Sequence, residues 1–219
     1  MMQTFDCEQG SEEWFLARLG IPTASCFDKV LAKPRKGEGV SLTRKRYLRD
    51  LAGEILTGRP MESYSNWHTE RGKSLEPEAR DLYAFAHDAH LTQVGFVRCG
   101  RAGCSPDSLI GDNGVLEVKT KLPALIIECI ENDQFPTEHK PQCQGALLVT
   151  GREWIDLVVY WPGMPLFVKR AYRDEEYLEN LSSELRRFCE DLDALVERIR
   201  RYGNPTPITE TLKEALEVA

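Results

Sequence analysis

The sequence lacks long apolar runs. The longest, residues 122–127, contains Pro123 and falls far short of the roughly 20 apolar residues that cross a bilayer. The first eight residues carry Asp6 and Glu8 and lack the basic start and apolar stretch of a secretory signal. We therefore expect a cytoplasmic protein with no membrane association.

The sequence also lacks paired cysteines. Seven cysteines are present, but no two form a C-x-x-C pair, and only Cys99 and Cys104 lie near each other. Zinc and iron–sulfur sites need soft ligands clustered at short spacing. We expect reduced thiols that are largely buried as small apolar side chains, and no metal site built from cysteine.

Positive charge is in short supply, with 28 basic residues against 35 acids and a net charge of −7. A DNA-binding protein normally presents a positive surface field. The charge is uneven, however, because residues 33–49 hold seven basic residues and one acid, whereas residues 174–219 hold twelve acids and six bases. The basic run is either a solvated helix face or a phosphate-binding segment that includes residues 44–49, so net charge does not exclude nucleic acid.

The 219 residues, 42% of them hydrophobic, fit one α/β domain over residues 1–203, followed by a tail or short terminal helix at residues 204–219. Capping residues, glycines and hydrophobic periodicity predict helices at 12–18, 23–32, 41–58, 66–89, 123–131, 137–149 and 174–202. Short apolar runs between turn residues predict strands at 91–98, 103–104, 108–110 and 115–119, arranged as a meander, and at 153–161 and 166–172.

The last predicted helix has an unbroken apolar seam. Its apolar residues step by three and four positions: Leu178, Leu181, Leu185, Phe188, Leu192, Leu195 and Ile199. Such a seam can pair with another helix in a coiled coil, or it can cover one face of the chain's own sheet. The sequence leaves both alternatives open.

The chemically informative residues lie on one predicted hairpin. Asp107 follows a turn at Pro106, and Glu117 and Lys119 project from one face of the next strand, because they are two positions apart. A turn at residues 112–114, in which asparagine and glycine accept positive φ, folds Asp107 back beside Glu117. Paired carboxylates suit Mg2+ or Mn2+, and a neighbouring lysine can orient or deprotonate a water. A surface hairpin with incidental charge is the alternative.

This Pro-Asp, spacer, Glu-x-Lys pattern resembles the core of the PD-(D/E)XK nucleases. The wider sequence resembles the lambda exonuclease family of viral recombinase exonucleases, whose blocks occur here in order: EQGSEEW at 8–14, RLG at 18–20, TAS at 23–25, AKPR at 32–35, GKSLE at 72–76, CSPD at 104–107, EVK at 117–119 and QCQ at 142–144. The resemblance covers roughly residues 8–172. One departure is His139, where the family commonly has tyrosine.

The resemblance implies a restriction-endonuclease-like fold, with a mixed central sheet flanked by helices, and a site for two divalent ions. By it, Asp107, Glu117 and the main-chain carbonyl of Val118 bind the catalytic metals. Lys119 acts on the attacking water, and Glu76 from the preceding helix helps to hold the second ion. The cofactor expected is Mg2+, with Mn2+ as a substitute.

The resemblance also implies contacts to DNA. The residues that match the family's 5′-phosphate pocket are Arg18, Ser25, Ser105 and Gln142, and Arg35 matches a residue that follows the minor groove. A guanidinium offers a rigid fork of donors to a phosphate, and hydroxyls and an amide complete the shell.

The function implied is a Mg2+-dependent 5′-to-3′ exonuclease on linear double-stranded DNA, which releases 5′-mononucleotides and leaves 3′ single-stranded overhangs. The family further implies a homotrimeric ring, a preference for 5′-phosphorylated ends and a single-strand annealing protein as partner in recombination. Two alternatives remain from the residues themselves. One is a PD-(D/E)XK endonuclease, and the other is a DNA-binding module without catalysis.

Overall fold

A computed structural model of the chain describes residues 2–34, 39–61 and 67–202. The helices of this part are Glu12–Arg18 (α1), Phe27–Leu31 (α2), Leu42–Thr57 (α3), Trp67–His87 (α4), Pro123–Asn132 (α5), Lys140–Thr150 (α6) and Glu175–Arg200 (α7), with 3₁₀ turns at Ala24–Cys26 and Thr137–His139. The strands are Met2–Phe5 (β1), Leu91–Thr92 (β2), Phe96–Cys99 (β3), Ala102–Cys104 (β4), Ser108–Ile110 (β5), Gly114–Thr120 (β6), Trp154–Tyr160 (β7) and Phe167–Tyr172 (β8).

Side-chain caps fix the starts of three helices. The hydroxyl of Ser11 accepts a hydrogen bond from the Trp14 amide at the start of α1, and Ser41 accepts from two amides at the start of α3. Asp174 caps α7 in the same way, and α3 ends at Gly58 with φ +65°. These boundaries follow the sequence prediction, because each cap satisfies amides that the first turn leaves without helical partners.

A five-stranded mixed sheet in the order β2-β5-β6-β7-β8 forms the centre of the fold. Only β6 and β7 run parallel, and the crossover between them contains α5 and α6. The other neighbours in this sheet are antiparallel. The predicted α/β fold with a mixed central sheet and a long C-terminal helix is therefore confirmed.

The expected single meander after residue 89 is wrong. A second, three-stranded sheet in the order β1-β3-β4 takes two of the short strands, while β2 and β5 join the larger sheet. The cause is a non-local pairing, in which Phe5 of β1 lies opposite Phe96 of β3. Alternation along a strand predicts its two faces but does not identify a partner about 90 residues away in the chain.

Two local expectations also differ from the structure. The left-handed position in the β5–β6 turn is Gly111, with φ +47°, and neither Asn113 nor Gly114 has a positive φ. Thr23 does not cap the second predicted helix with its side chain. Its amide donates instead to the Tyr47 hydroxyl, at 3.1 Å, and its hydroxyl faces Ser25.

Both faces of the central sheet are covered, which explains why the central strand β7 is almost continuously apolar. Val115 faces a core that contains α2, α3, α6 and α7. Leu116 and Val118 face the opposite core, where Ala79 and Tyr83 of α4 pack. Because successive side chains alternate, Glu117 points to the same side as Val115, towards α6.

The apolar seam of α7 packs mainly within this chain. Leu181, Leu185, Phe188 and Leu192 belong to the main core, and only the end of the seam is open, where Ile199 is 47% exposed. The seam is therefore mainly intramolecular, but α7 packs chiefly against the helices α2, α3 and α6 rather than directly on the sheet, which the second alternative expected. None of the described helices combines the length and apolar composition that a membrane span requires.

We predict that Gly145→Ala lowers the stability of the fold. A Cβ at this position of α6 would overlap the Phe27 ring and lie 3.3 Å from the Cβ of Ala24. Phe27 is fully buried and cannot swing aside, so overpacking should lower the free energy of unfolding by about 1–3 kcal/mol.

Gly72→Ala in α4 is the matched control. Its Cβ would meet the Thr120 hydroxyl at an ordinary 3.5 Å, so only the gain in helix propensity, about 1 kcal/mol, should remain. Denaturant unfolding of both variants tests the prediction. Equal changes in the two free energies of unfolding would show that close packing at Gly145 is not the cause.

Candidate active site

The hairpin of β5 and β6 brings Asp107 beside Glu117. Ser108 pairs with Leu116 across the hairpin, so Asp107 and Glu117 lie one position beyond the last paired residues. The Asp107 carboxylate accepts a hydrogen bond from the Val118 amide at 2.6 Å. This bond fixes one acid against the strand that carries the other.

Glu117 is held from two sides. It is 3% exposed, and its Oε1 accepts from the Lys119 ammonium at 2.7 Å and from the Gln142 amide at 2.5 Å. Burial alone lowers the pKa of Lys119, but Glu117 and Asp107 more than reverse this effect, so the pKa is raised. Lys119 is therefore a charged donor at neutral pH.

Glu76 completes a group of three acids. Burial, followed by the charges of Glu117 and Glu76, raises the pKa of Asp107 well above its usual range. Burial also raises the pKa of Glu76, opposed by Arg80, whose guanidinium lies 3.0 Å from the Glu76 carboxylate. The strands and α4 thus gather like charges whose mutual repulsion a cation would relieve.

These residues fit divalent metal ions. Carboxylate oxygens are the hard ligands that Mg2+ and Mn2+ prefer, and Asp107 and Glu117 lie together at the end of the hairpin. Within the described residues no three acids, histidines or cysteines form a ready-made metal cage. The reason is visible in the contacts, since Glu117 turns to Lys119 and Gln142 while Glu76 turns to Arg80.

The four residues expected to bind a terminal phosphate line one small cavity of about 40 Å3. Its walls include Arg18, Ser25, Ser105 and Gln142, together with Glu117. Residues from α1, the 3₁₀ turn, the β4–β5 connection and α6 thus converge, although they are far apart in the sequence. Because Gln142 donates to Glu117, this cavity and the acid group share a wall.

The positive charge of Arg18 is not paired with a carboxylate among the described residues. Arg18 is half-buried, and its Nη2 lies 3.5 Å from the Thr23 hydroxyl. Burial lowers the pKa of Arg18, although Cys26, Tyr47 and Glu54 act in the opposite direction. A guanidinium remains charged in proteins, so this cavity favours an anion.

A larger groove of about 860 Å3 connects Arg18 with Asp107 and Glu76. Sequence reasoning missed two residues in its wall, Trp14 and Arg80. Each lies four positions along a helix from a predicted site residue, since Trp14 precedes Arg18 and Arg80 follows Glu76. That spacing places side chains on one helix face and could have identified both.

His139 lies beside the catalytic lysine candidate as a neutral imidazole. Burial and the charges of Lys119 and Lys121 lower the pKa of His139 to about 4, with Glu138 opposing them. Its Nε2 is buried without a hydrogen bond and lies 3.7 Å from Glu138 Oε1. The tyrosine position of the family is thus filled by another neutral ring.

The expected duplex contacts are only partly visible. Arg35 lies outside the described residues, so its role stays a prediction. Arg44 is not available to DNA, because it is buried, pairs with Asp191 at 2.7 Å and lies over the Phe188 ring. Its position on the inner face of α3 explains this, whereas Lys45, Arg46 and Arg49 are exposed on the same helix.

Comparisons with known proteins identify the family and the fold of the chain. Residues 13–153 match the YqaJ-like viral recombinase domain. An alkaline exonuclease (LHK-Exo) from Laribacter hongkongensis is 31% identical, with 95% of this chain and 100% of that chain covered and a TM-score of 0.78.

The same exonuclease in complex with dAMP gives a TM-score of 0.79 at the same identity and coverage. A phage related exonuclease from Haemophilus somnus 129PT, at 15% identity, covers 82% of this chain and 96% of that chain with a TM-score of 0.63, which shows a shared fold. No curated protein matches the chain.

We predict that Asp107→Asn stabilises the protein when divalent ions are removed with EDTA. Because folding raises the pKa of Asp107, the folded chain binds this proton more tightly than the unfolded chain does. The free energy of unfolding therefore falls as pH rises through the ordinary carboxyl range to the folded-state pKa, and the loss persists at neutral pH. The amide removes this penalty and can still accept the Val118 hydrogen bond.

Thermal unfolding at several pH values measures the effect. We expect a gain on the order of 1 kcal/mol at pH 7.5, or about 2–4 °C in Tm, and a flatter dependence on pH. Asp112→Asn, in the exposed turn of the same hairpin, is the control and should change little. A lower Tm for Asp107→Asn would contradict the repulsion inferred from this acid group.

Proposed function

The chain belongs to the YqaJ-like viral recombinase family, and from this premise we propose that it is a DNA exonuclease of the lambda exonuclease type. The finer proposal is a Mg2+-dependent enzyme that degrades the 5′-ended strand of linear double-stranded DNA. It releases 5′-mononucleotides and leaves a 3′ single strand for annealing-dependent recombination.

One observation carries the proposal: Glu117 belongs both to the acid group and to the wall of the small cavity, where Gln142 donates a hydrogen bond to it. An endonuclease needs no pocket for a strand terminus. A terminal phosphate held by Arg18 would instead bring the first phosphodiester bond to the neighbouring acids. This arrangement favours removal of nucleotides from a 5′ end, one at a time.

In the proposed hydrolysis, each of these residues has a separate role. Asp107, Glu117, Glu76 and the Val118 carbonyl would hold two divalent ions, which when bound activate a water and neutralise charge on the departing 3′ oxygen. Lys119, already charged, donates a hydrogen bond that orients the attacking water. Glu117 and Glu76 exchange their present partners, Lys119 and Arg80, for these ligand roles.

The assembly follows from the family resemblance. We propose a homotrimeric ring that encloses the duplex, with Arg35 in the minor groove and a single-strand annealing protein as the partner in the cytoplasm. The exposed basic residues of α3 are consistent with duplex phosphates on one side of the chain. The acidic face of α7 would then point away from the DNA.

We predict that Glu117→Gln abolishes strand shortening. Loss of a metal-binding carboxylate should lower activity by more than about 100-fold, since even residues that only orient metal ligands contribute about 10–100-fold. Duplex DNA labelled at either end is followed in time, with and without Mg2+, and should shorten from the 5′ terminus only. Glu128→Gln, an exposed acid on α5, serves as the control.

Closed circular DNA distinguishes the main alternative. Cutting of circles at a rate similar to that of linear duplex would replace the exonuclease proposal with an endonuclease. Retained activity in Glu117→Gln would show that this group of acids is not the catalytic centre.

We predict that Arg18→Ala removes most of the preference for 5′-phosphorylated over 5′-hydroxyl ends. A hydrogen bond to a charged group contributes about 1.5–3 kcal/mol, so the ratio of the two kcat/KM values for first-nucleotide release should fall by about 10- to 100-fold. Arg46→Ala, an exposed arginine of α3, should weaken both substrates alike and leave the ratio unchanged. An unchanged ratio in Arg18→Ala would reject the phosphate role.

A further inference from the structure

Trp14 contacts two residues of the proposed phosphate cavity at once. Its indole N–H donates to the Ser105 hydroxyl at 2.8 Å and to the Gly95 carbonyl at 3.1 Å. The face of its ring covers the Arg18 guanidinium, with the guanidinium carbon 3.9 Å from the ring centroid. The Trp14 side chain thus links Arg18 of α1 to Ser105, which lies in the connection before Asp107.

The surroundings of Trp14 hold it in place. The Ser11 cap binds the Trp14 amide, and Phe15 packs edge-on against the ring at 4.9 Å between centroids. The Gly95 carbonyl is held in place as well. Gly95 packs so closely on Cys7 that a Cβ would overlap the Cys7 backbone, and the Gly95 amide donates a hydrogen bond to the Phe5 carbonyl. The indole therefore has a defined direction before any ligand arrives.

The hydrogen bond to Ser105 has a chemical consequence. An indole N–H is only a donor, so the Ser105 oxygen must be the acceptor in this pair. The hydroxyl proton of Ser105 then remains to be donated elsewhere, and Ser105 lines the small cavity. A phosphate oxygen, which only accepts hydrogen bonds when ionised, is the complementary ligand.

The contact between the Trp14 ring and the Arg18 guanidinium affects the same cavity, because Arg18 lines it. Among the described residues, the other polar contact of this guanidinium is its 3.5 Å approach to the Thr23 hydroxyl, which is long for a hydrogen bond. The indole face thus provides the closest restraint on the plane of the guanidinium. A guanidinium held in one plane loses less freedom when it binds a phosphate through two parallel hydrogen bonds.

We propose that Trp14 is a positioning residue that sets the selectivity for a terminal phosphate. It does so by orienting the Ser105 hydroxyl and the Arg18 guanidinium, without touching the phosphate itself. This inference rests on the proposed function, in which the cavity binds the 5′ end of DNA.

Trp14→Phe is the first test, with Trp154→Phe as the matched control. Phenylalanine retains a ring face for Arg18 but removes the N–H, so the preference for 5′-phosphorylated ends in first-nucleotide release should fall by about 3- to 10-fold. Trp154 stacks on the Arg170 guanidinium at 3.6 Å on the opposite face of the sheet, so Trp154→Phe should leave the preference unchanged. The same loss in both variants would overturn the inference.

A double-mutant comparison tests the route through Ser105. If Trp14 acts by orienting this hydroxyl, Trp14→Phe lowers the preference in the wild-type chain and has little further effect in a Ser105→Ala background. Equal losses in the two backgrounds would contradict an action through Ser105. A general loss of folding would not produce this pattern.

The outcomes separate the two proposals. A wild-type chain that cuts phosphorylated and hydroxyl ends equally fast would reject the phosphate cavity itself, and the role of Trp14 with it. A wild-type preference that persists in Trp14→Phe would overturn the role of Trp14 alone.

A second measurement needs no substitution at Trp14. In EDTA, a 5′-phosphorylated duplex should change the tryptophan fluorescence of the wild-type chain more than a 5′-hydroxyl duplex does, because the phosphate binds the guanidinium under the indole. The difference should persist in Trp154→Phe. Equal changes with the two duplexes would contradict a phosphate beside Trp14.

Discussion

The hydrogen bond from the Val118 amide to the Asp107 carboxylate is the contact on which the candidate site depends. It joins the turn before β5 to β6 and keeps Asp107 next to Glu117, although the two acids repel each other. A partly buried acid beside other acids raises the free energy of the folded state unless a cation or a proton compensates its charge. The site is thus maintained by the surrounding sheet, which is buried on both faces.

The topology explains how distant segments reach this point. The parallel pairing of β6 with β7 requires a crossover, and α6 within it carries Gln142 to the side of the sheet that Glu117 faces. The 3₁₀ turn with Ser25 packs on the same helix, where Gly145 allows close approach to Phe27. This close packing brings the small cavity against the acid group, so the proposed metal binding and end recognition would share Glu117.

The sequence was informative where interactions are local. Ser41, Gly58 and Asp174 mark helix ends through their own backbone contacts, and the hairpin from Asp107 to Glu117 follows from two short strands and a turn. It was silent on the pairing of β1 with β3 and on the burial of Arg44 against Asp191, because both depend on segments distant in the chain. The phosphate-cavity residues came from resemblance alone.

The wall that the small cavity of Arg18 shares with the acid group has a kinetic consequence. In the proposed reaction the phosphate stays on the shortened strand, so every cleavage creates the very terminus that the Arg18 cavity prefers. A duplex that starts with a 5′-hydroxyl would then be slow only for its first nucleotide. Its degradation would show a lag followed by the same steady rate, and the enzyme would in effect prepare its own substrate.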